Sequence, residues 1–173
     1  PLRVADVGTG SGAIAISLAK EWAPRPIDVA AIDISRDALS VARENAAELE
    51  VEEVITFCEG DLLDASEPGT TYHAVVSNPP YIPSAELDGL EPEVSKHEPR
   101  LALDGGADGF DVIRRLAAQA PEFIQAEGLL ALEVGIGQAA TVAGLIAETG
   151  AFGPCEIVRD LADIERVVLA TRS

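Results

Sequence analysis

Basic residues are scarce in this chain. Lys and Arg number 12 against 30 Asp and Glu, a formal net charge of −18 with pI near 4.2, and the 12 form no basic patch. That opposes binding to a phosphate backbone, where affinity comes largely from Lys and Arg neutralising phosphates, so no direct nucleic-acid partner is expected. The same charge suits a protein or small-molecule partner, a basic one included; a merely solvated acidic surface or a salt adaptation fits it equally. Cysteine is also rare: Cys58 and Cys155 are the only two, both in apolar, strand-like contexts without metal-type spacing. They read as reduced core thiols of a cytoplasmic protein, with no metal site. No apolar run reaches the ~18 residues of a membrane span, and there is neither an internal repeat nor a low-complexity tract. Methionine is absent; the chain starts at Pro1, directly before a strand, and reads as a fragment, so a missing targeting signal carries no weight. What is present is ample apolar material: 173 residues at 47% hydrophobic suffice for one domain, 1–173, with a true core.

Hydrophobic patterning alternates strand and helix. Strands are predicted over 2–7, 27–32, 54–58, 73–77 and 129–133. Helices are predicted over 11–22, 36–49 (capped by Ser35), 110–126 and 139–149, the last ended by Gly150. Two further strands, 155–159 and 166–170, are joined by a short turn and so read as antiparallel. Repeated βα units predict a mostly parallel sheet with helices on both faces. The stretch 78–108, rich in Pro, Gly and Glu, is the one long irregular segment, and a loop of that length within a domain is usually functional or mobile.

That stretch opens with Asn78-Pro79-Pro80-Tyr81, the most informative residues of the chain. They follow the apolar run Ala74-Val75-Val76-Ser77 and so belong at a strand's carboxyl end, where open α/β sheets bind ligands. Asn followed by two prolines presents a side-chain carbonyl and a backbone carbonyl on a stiffened mount, because proline fixes φ and lacks an N–H. Two close acceptors suit a planar NH₂ group, and Tyr81 adds an aromatic face for the flat group that carries it.

A second motif, Asp6-Val7-Gly8-Thr9-Gly10-Ser11-Gly12, joins the first strand to the first helix. Glycines there permit a tight turn and close backbone approach to a ligand. Gly8, Gly10 and Ala13 also satisfy a dinucleotide-type spacing, but the tighter Gly-x-Gly-x-Gly beside the carboxylate of Asp6 suits a ligand bearing an ammonium better than one bearing pyrophosphate. Asp33, with Ile34 after it, ends the second strand where a ribose-binding acid is expected. Asp61-Leu62, after the third strand, lie where an adenine would be edged and covered. Adenosine without a phosphate requirement points to S-adenosylmethionine.

With these motifs the chain resembles the HemK/PrmC family of protein-(glutamine) methyltransferases, which modify the Gly-Gly-Gln motif of peptide-chain release factors. The likeness runs over essentially the whole length. It extends through Glu98-Pro99-Arg100-Leu101-Ala102-Leu103, Gly105-Gly106-Ala107-Asp108-Gly109 and Glu165-Arg166-Val167. It implies a class I, Rossmann-like methyltransferase with a seven-stranded, mostly parallel sheet whose last strand is antiparallel. It implies that Gly8, Thr9, Gly10, Ser11 and Gly12 wrap S-adenosylmethionine, that Asp33 binds its ribose and Asp61-Leu62 border its adenine. Asn78, Pro79, Pro80 and Tyr81 would hold the substrate glutamine amide of a release factor. Two departures from the family stand out: His97 replaces the usual aromatic before Glu-Pro, and the family's helical N-terminal domain, which helps bind the release factor, is not in this sequence.

The chemistry expected is an in-line methyl transfer in which hydrogen bonds from the NH₂ to Asn78 and the Pro79 carbonyl fix the nitrogen. No general base is needed beforehand; His73 and His97 read as loop or strand-surface residues and Glu133 as a strand-end carboxylate. Competing readings are a glutamine methyltransferase of a ribosomal protein, an amino-group methyltransferase on adenine in nucleic acid, and a cofactor-binding module without activity.

Overall fold

A computed structural model describes residues 1–89 and 99–173. The sequence folds into β1 (Leu2–Val7), α1 (Ala13–Trp22), β2 (Ile27–Asp33), α2 (Arg36–Glu48), β3 (Ile55–Glu59), β4 (Tyr72–Ser77), α3 (Arg100–Leu103), α4 (Asp111–Phe123), β5 (Ile124–Glu133), α5 (Ala139–Glu148), β6 (Glu156–Arg159) and β7 (Glu165–Thr171). The strands form one seven-stranded sheet in the order β3-β2-β1-β4-β5-β7-β6. The pairs β1–β2, β1–β4, β2–β3 and β4–β5 are parallel, whereas β7 runs antiparallel to both β5 and β6. The mostly parallel sheet with an antiparallel last strand is therefore as the sequence predicts.

Alternation along each strand sends side chains to two cores. Val4, Val29 and Ala31 face α1 through Ala15, Ile16 and Ala19. Ala5, Val7 and Ile32 face the opposite layer, with Leu116 and Ala120 of α4 and Val142 and Ile146 of α5. Both faces are covered, as a parallel sheet requires. Because β1 is followed by β2 on one side while β4 flanks it on the other, the strand order reverses there. β1 and β4 stay paired to their carboxyl ends, Val7 beside Ser77, and the segments that follow lead to α1 on one face and α4 on the other, the switch point at which such sheets form a ligand crevice.

Several predicted boundaries move, each for a local reason. α1 starts at Ala13 rather than 11, since Gly10 and Gly12 stand at positive φ. Ser35 caps α2 as predicted, its Oγ accepting from Ala38 N at 3.2 Å. The helix expected over 110–126 stops at Phe123, and 124–126 belong to β5. Pro121 has no N–H for the last turn, and β-branched Ile124 pairs with Tyr72 instead. The stretch 78–108 is not uniformly irregular: a 3₁₀ turn covers Ser84–Gly89, α3 follows, and Ile82 and Asp104 form a parallel bridge. His97 and Glu98 lie outside the described residues. Cys58 and Cys155 are free, half-buried thiols packed against the core, and burial pushes both above the usual thiol range. Among the described residues no helix is long and apolar enough to cross a membrane, and no group of His, Cys, Asp or Glu could hold a metal ion.

Candidate active site

The glycine loop leaves β1 at the crevice. Gly8 and Gly10 adopt φ of +70° and +56°, where a side chain would be strained, and a Cβ built on either meets nothing within 4 Å. Bare backbone thus faces open space. The loop's own amides, however, are engaged. Gly8 N and Thr9 N both donate to Ile32 O (2.8 and 2.9 Å), Gly12 N to Thr9 O (2.9 Å), and Gly10 N to Asp33 Oδ2 (2.9 Å). A phosphate nest needs such amides turned outward; here they staple β1 to β2 and leave a shaped surface. Such a loop could cradle a flat or extended organic group, and its inward-bonded amides suit a pyrophosphate less well. Gly12 serves packing as well: its Cα faces Ala42 of α2, whose Cβ would lie 3.1 Å from a Cβ there.

Asp6 lies fully buried beneath the loop. Its Oδ2 accepts from Thr9 Oγ1 (2.6 Å) and Ala15 N (3.0 Å), while Oδ1 has no partner. Burial raises its pKa to about 6; the two hydrogen bonds oppose that rise and the negative charge of Asp33 adds to it. An unpartnered, buried acceptor under an open loop is the kind of group a cationic ligand satisfies.

Asp33 does more than the sequence suggests. Its Oδ2 receives Gly10 N and its Oδ1 receives Ser35 N at 2.8 Å, so it ties the loop to the start of α2. Each oxygen retains a second lone pair for ligand hydroxyls. Ile34 beside it is 54% exposed, an aliphatic surface at the crevice mouth. Asp61 is paired with Arg115 of α4, Nη2 to Oδ2 at 2.5 Å, a partner the sequence did not signal because the two are far apart along the chain. Leu62 packs against the core at φ +54°, a left-handed conformation that a branched side chain adopts only where its surroundings enforce it.

Across the switch point, Ser77 Oγ donates to Val7 O at 2.6 Å and locks the tip of β4 to β1. The next residue, Asn78, is exposed, and its side chain has no hydrogen-bond partner among the described residues. Pro79 is buried and Pro80 and Tyr81 are half-buried, so the mount is fixed while its polar tip is exposed. Behind it lies a backbone knot. Ile82 N donates to Leu103 O (3.1 Å), Gly105 N to Ile82 O (2.9 Å) and Ser84 N to Gly106 O (2.8 Å). The carboxylate of Asp104 accepts from Ser84 Oγ (2.6 Å) and Gly106 N (3.0 Å), and these bonds hold it below the usual carboxylate range. Gly109, at φ +83°, approaches so closely that a Cβ would lie 2.6 Å from Tyr81 O. Gly109 thus has a physical reason: only bare backbone fits against the Tyr81 carbonyl, while Gly105 and Gly106 leave room for Gly109 and the Asp111 side chain.

Gln138, at the start of α5, reaches Tyr81 O with its amide, a contact across 57 residues that no local motif marks. His73 sits at the other end of β4, accepting from Arg3 N at 3.1 Å, and Glu133 ends β5 half-buried. A groove of about 360 Å³ between α1 and α2, lined by Ile16, Asn45 and Leu49 among others, touches the loop only at Ser11 and includes neither Asp33 nor Asn78; the chemistry-bearing groups converge on the sheet edge instead.

This sheet order, open glycine loop and strand-end acid define a class I methyltransferase fold. Solved structures agree. A ribosomal protein methylase from Lactobacillus delbrueckii subsp. bulgaricus aligns over 100% of this chain and 71% of its own with a TM-score of 0.69 at 22% identity. A 16S rRNA methyltransferase from Thermus thermophilus, solved with AdoMet and guanosine, aligns over 99% of this chain and 37% of its own with a TM-score of 0.70 at 16% identity. The chain belongs to the methyltransferase small domain family, which it matches over residues 2–89. It is 44% identical over 170 residues to the release factor glutamine methyltransferase of Bacillus anthracis, covering 98% of this chain and 59% of that protein. It is 47% identical over 171 residues to that of Rhodospirillum rubrum, covering 98% and 51%. The resemblance drawn from the motifs is met by these relatives, of whose length the chain spans between half and three-fifths.

Proposed function

We propose that this chain is the catalytic domain of an S-adenosylmethionine-dependent protein-(glutamine) methyltransferase, acting on the side-chain amide of a glutamine in a peptide-chain release factor. One observation carries the reading: an exposed Asn78 with no hydrogen-bond partner among the described residues, on a proline-stiffened mount, directly across the switch point from an open glycine cradle. The similarity to release factor glutamine methyltransferases supports the substrate. The reading places the protein in the cytoplasm, with a protein rather than a nucleic acid as partner.

The residues present fit the cofactor. Gly8 and Gly10 leave room for its chain, the unpartnered Asp6 Oδ1 favours a cationic group, Asp33 retains acceptors for ribose hydroxyls, and Ile34 and Leu62 offer aliphatic surface for a flat base. When bound, S-adenosylmethionine supplies an electrophilic methyl group on a sulfonium with a neutral leaving group. The protein's task is then to manage the nucleophile. An amide nitrogen is poor because its lone pair is delocalised into the carbonyl. Asn78 Oδ1 and the Pro79 carbonyl each accept one hydrogen of the NH₂, holding the nitrogen and favouring its rehybridisation toward the methyl group, while Tyr81 flanks the amide plane. Orientation of this sort is worth up to ~7–11 kcal/mol in favourable cases. Once methylated, the nitrogen held by Asn78 and Pro79 would lose its proton to solvent, so no strong base is required beforehand.

The test is transfer of labelled methyl from S-adenosylmethionine to purified release factor, ribosomal protein and nucleic acid. Label on the glutamine of the Gly-Gly-Gln motif is the expected result. Label confined to ribosomal protein or nucleic acid would reassign the substrate, and no label on any of them would reduce the chain to a binding module.

A further inference from the structure

Gln138 couples two segments that meet at Tyr81. Its Nε2 donates to Tyr81 O at 2.9 Å, and its Oε1 accepts from Gly135 N at 2.9 Å. Its backbone closes the same turn, Gln138 N donating to Gly135 O at 3.1 Å. The Tyr81 ring lies against Gly135, close enough that a Cβ there would stand 3.0 Å from Tyr81 Cδ2. The peptide unit joining Tyr81 to Ile82 is therefore held at both polar ends, its carbonyl by Gln138 and its N–H by Leu103 O. One amide side chain, half-buried and using both its donor and acceptor faces, sets where the Tyr81 carbonyl points and what the Tyr81 ring rests on.

We propose that Gln138 is a positioning residue for methyl transfer: it fixes the Asn78–Tyr81 segment through the Tyr81 carbonyl, beyond tying down the turn before α5. The proposal rests on the reading of Asn78–Tyr81 as the holder of the acceptor amide. Both roles are chemically separable, because the donor and the acceptor of Gln138 serve different partners. A carboxylate at this position still accepts from Gly135 N, and does so next to a helix N-terminus, where negative charge is favoured. It has no N–H for Tyr81 O and sets oxygen against oxygen there.

The test uses Gln138→Glu and Gln138→Ala. The expected result for Gln138→Glu is a melting temperature close to wild type, cofactor affinity within about twofold, and kcat on release factor lower by roughly tenfold or more at saturating substrate, the order of loss seen when a catalytic constellation is loosened. Gln138→Ala loses both contacts and falls at least as far. Hydrogen exchange gives a readout independent of the methyl acceptor: the Ile82 amide should exchange faster in both variants, and the Gly135 amide faster only in Gln138→Ala. Wild-type kcat in Gln138→Glu overturns the proposal whatever the exchange shows, for Gln138 is then only a staple of the turn. If wild type leaves release factor unmethylated, the substrate reading fails separately, and unchanged Ile82 exchange in both variants still overturns the role given to Gln138.

Discussion

Asn78 is a polar side chain without a hydrogen-bond partner among the described residues, on a strand tip that Ser77, Pro79 and Gln138 otherwise hold still. Removing a preorganised polar contact of this kind typically costs ~10²–10³ in turnover, so steady-state kinetics of Asn78→Ala on release factor should show a loss in that range with cofactor affinity changed by less than about tenfold. Asn78→Asp keeps an acceptor of similar shape and should retain more. Near wild-type turnover in Asn78→Ala would leave the motif as a turn. Asp6 permits a test on stability. Its carboxyl titrates near 6 in the fold against 3.8 ordinarily. Between those values the native state keeps a proton that the unfolded chain has lost, so this group's contribution falls as pH rises from about 4 to about 6, by about 3 kcal/mol in total. Urea unfolding across that range should show the fall in wild type and not in Asp6→Asn. The carboxylates of Asp104, Asp108 and Asp160 are shifted downward by their hydrogen bonds and act below that window, in both proteins alike.

At the scale of elements, the segment 105–109 supports the chain after Asn78 through its backbone: Gly105 and Gly106 bond Ile82 and Ser84, and Gly109 lies against the Tyr81 carbonyl. Gly109→Ala would place a Cβ 2.6 Å from Tyr81 O at φ +83°. It should destabilise the fold by about 1–3 kcal/mol and lower kcat more than KM, as read from chemical denaturation and saturation kinetics side by side. What the sequence made legible follows from range. Strand and helix order came from periodicity, and Asn78, Asp33 and the glycine loop came from short motifs at strand ends, because their chemistry is carried by neighbouring residues. The Arg115–Asp61 pair, the Asp104–Ser84 bond and the reach of Gln138 to Tyr81 span 54, 20 and 57 residues, and no local pattern marks them. The early end of α4 was missed for a related reason: the pairing of Ile124 with Tyr72 competes with helix propensity only once the sheet exists.

For the whole molecule the dominant quantity is the charge of −18. Ion pairs such as Arg36–Glu59 and Arg114–Asp108 are largely exposed and worth little each, so self-repulsion outweighs them. Raising salt from about 0.1 to about 1 M, which shortens the screening length from about 10 to about 3 Å, should therefore raise the melting temperature. A fall would show that the ion pairs matter more than the excess charge. The order of the sheet has a consequence in time as well as in space. β7 is inserted between β5 and β6, so the edge of β5 that faces away from β4 has no partner until residues 165–171 have been synthesised. At ~5–20 residues per second a nascent chain holds that sticky edge open for several seconds after β5 emerges. A stalled or truncated product lacking β7 is thus expected to be more prone than the full chain to aggregate or to be captured by chaperones, however intact its glycine loop.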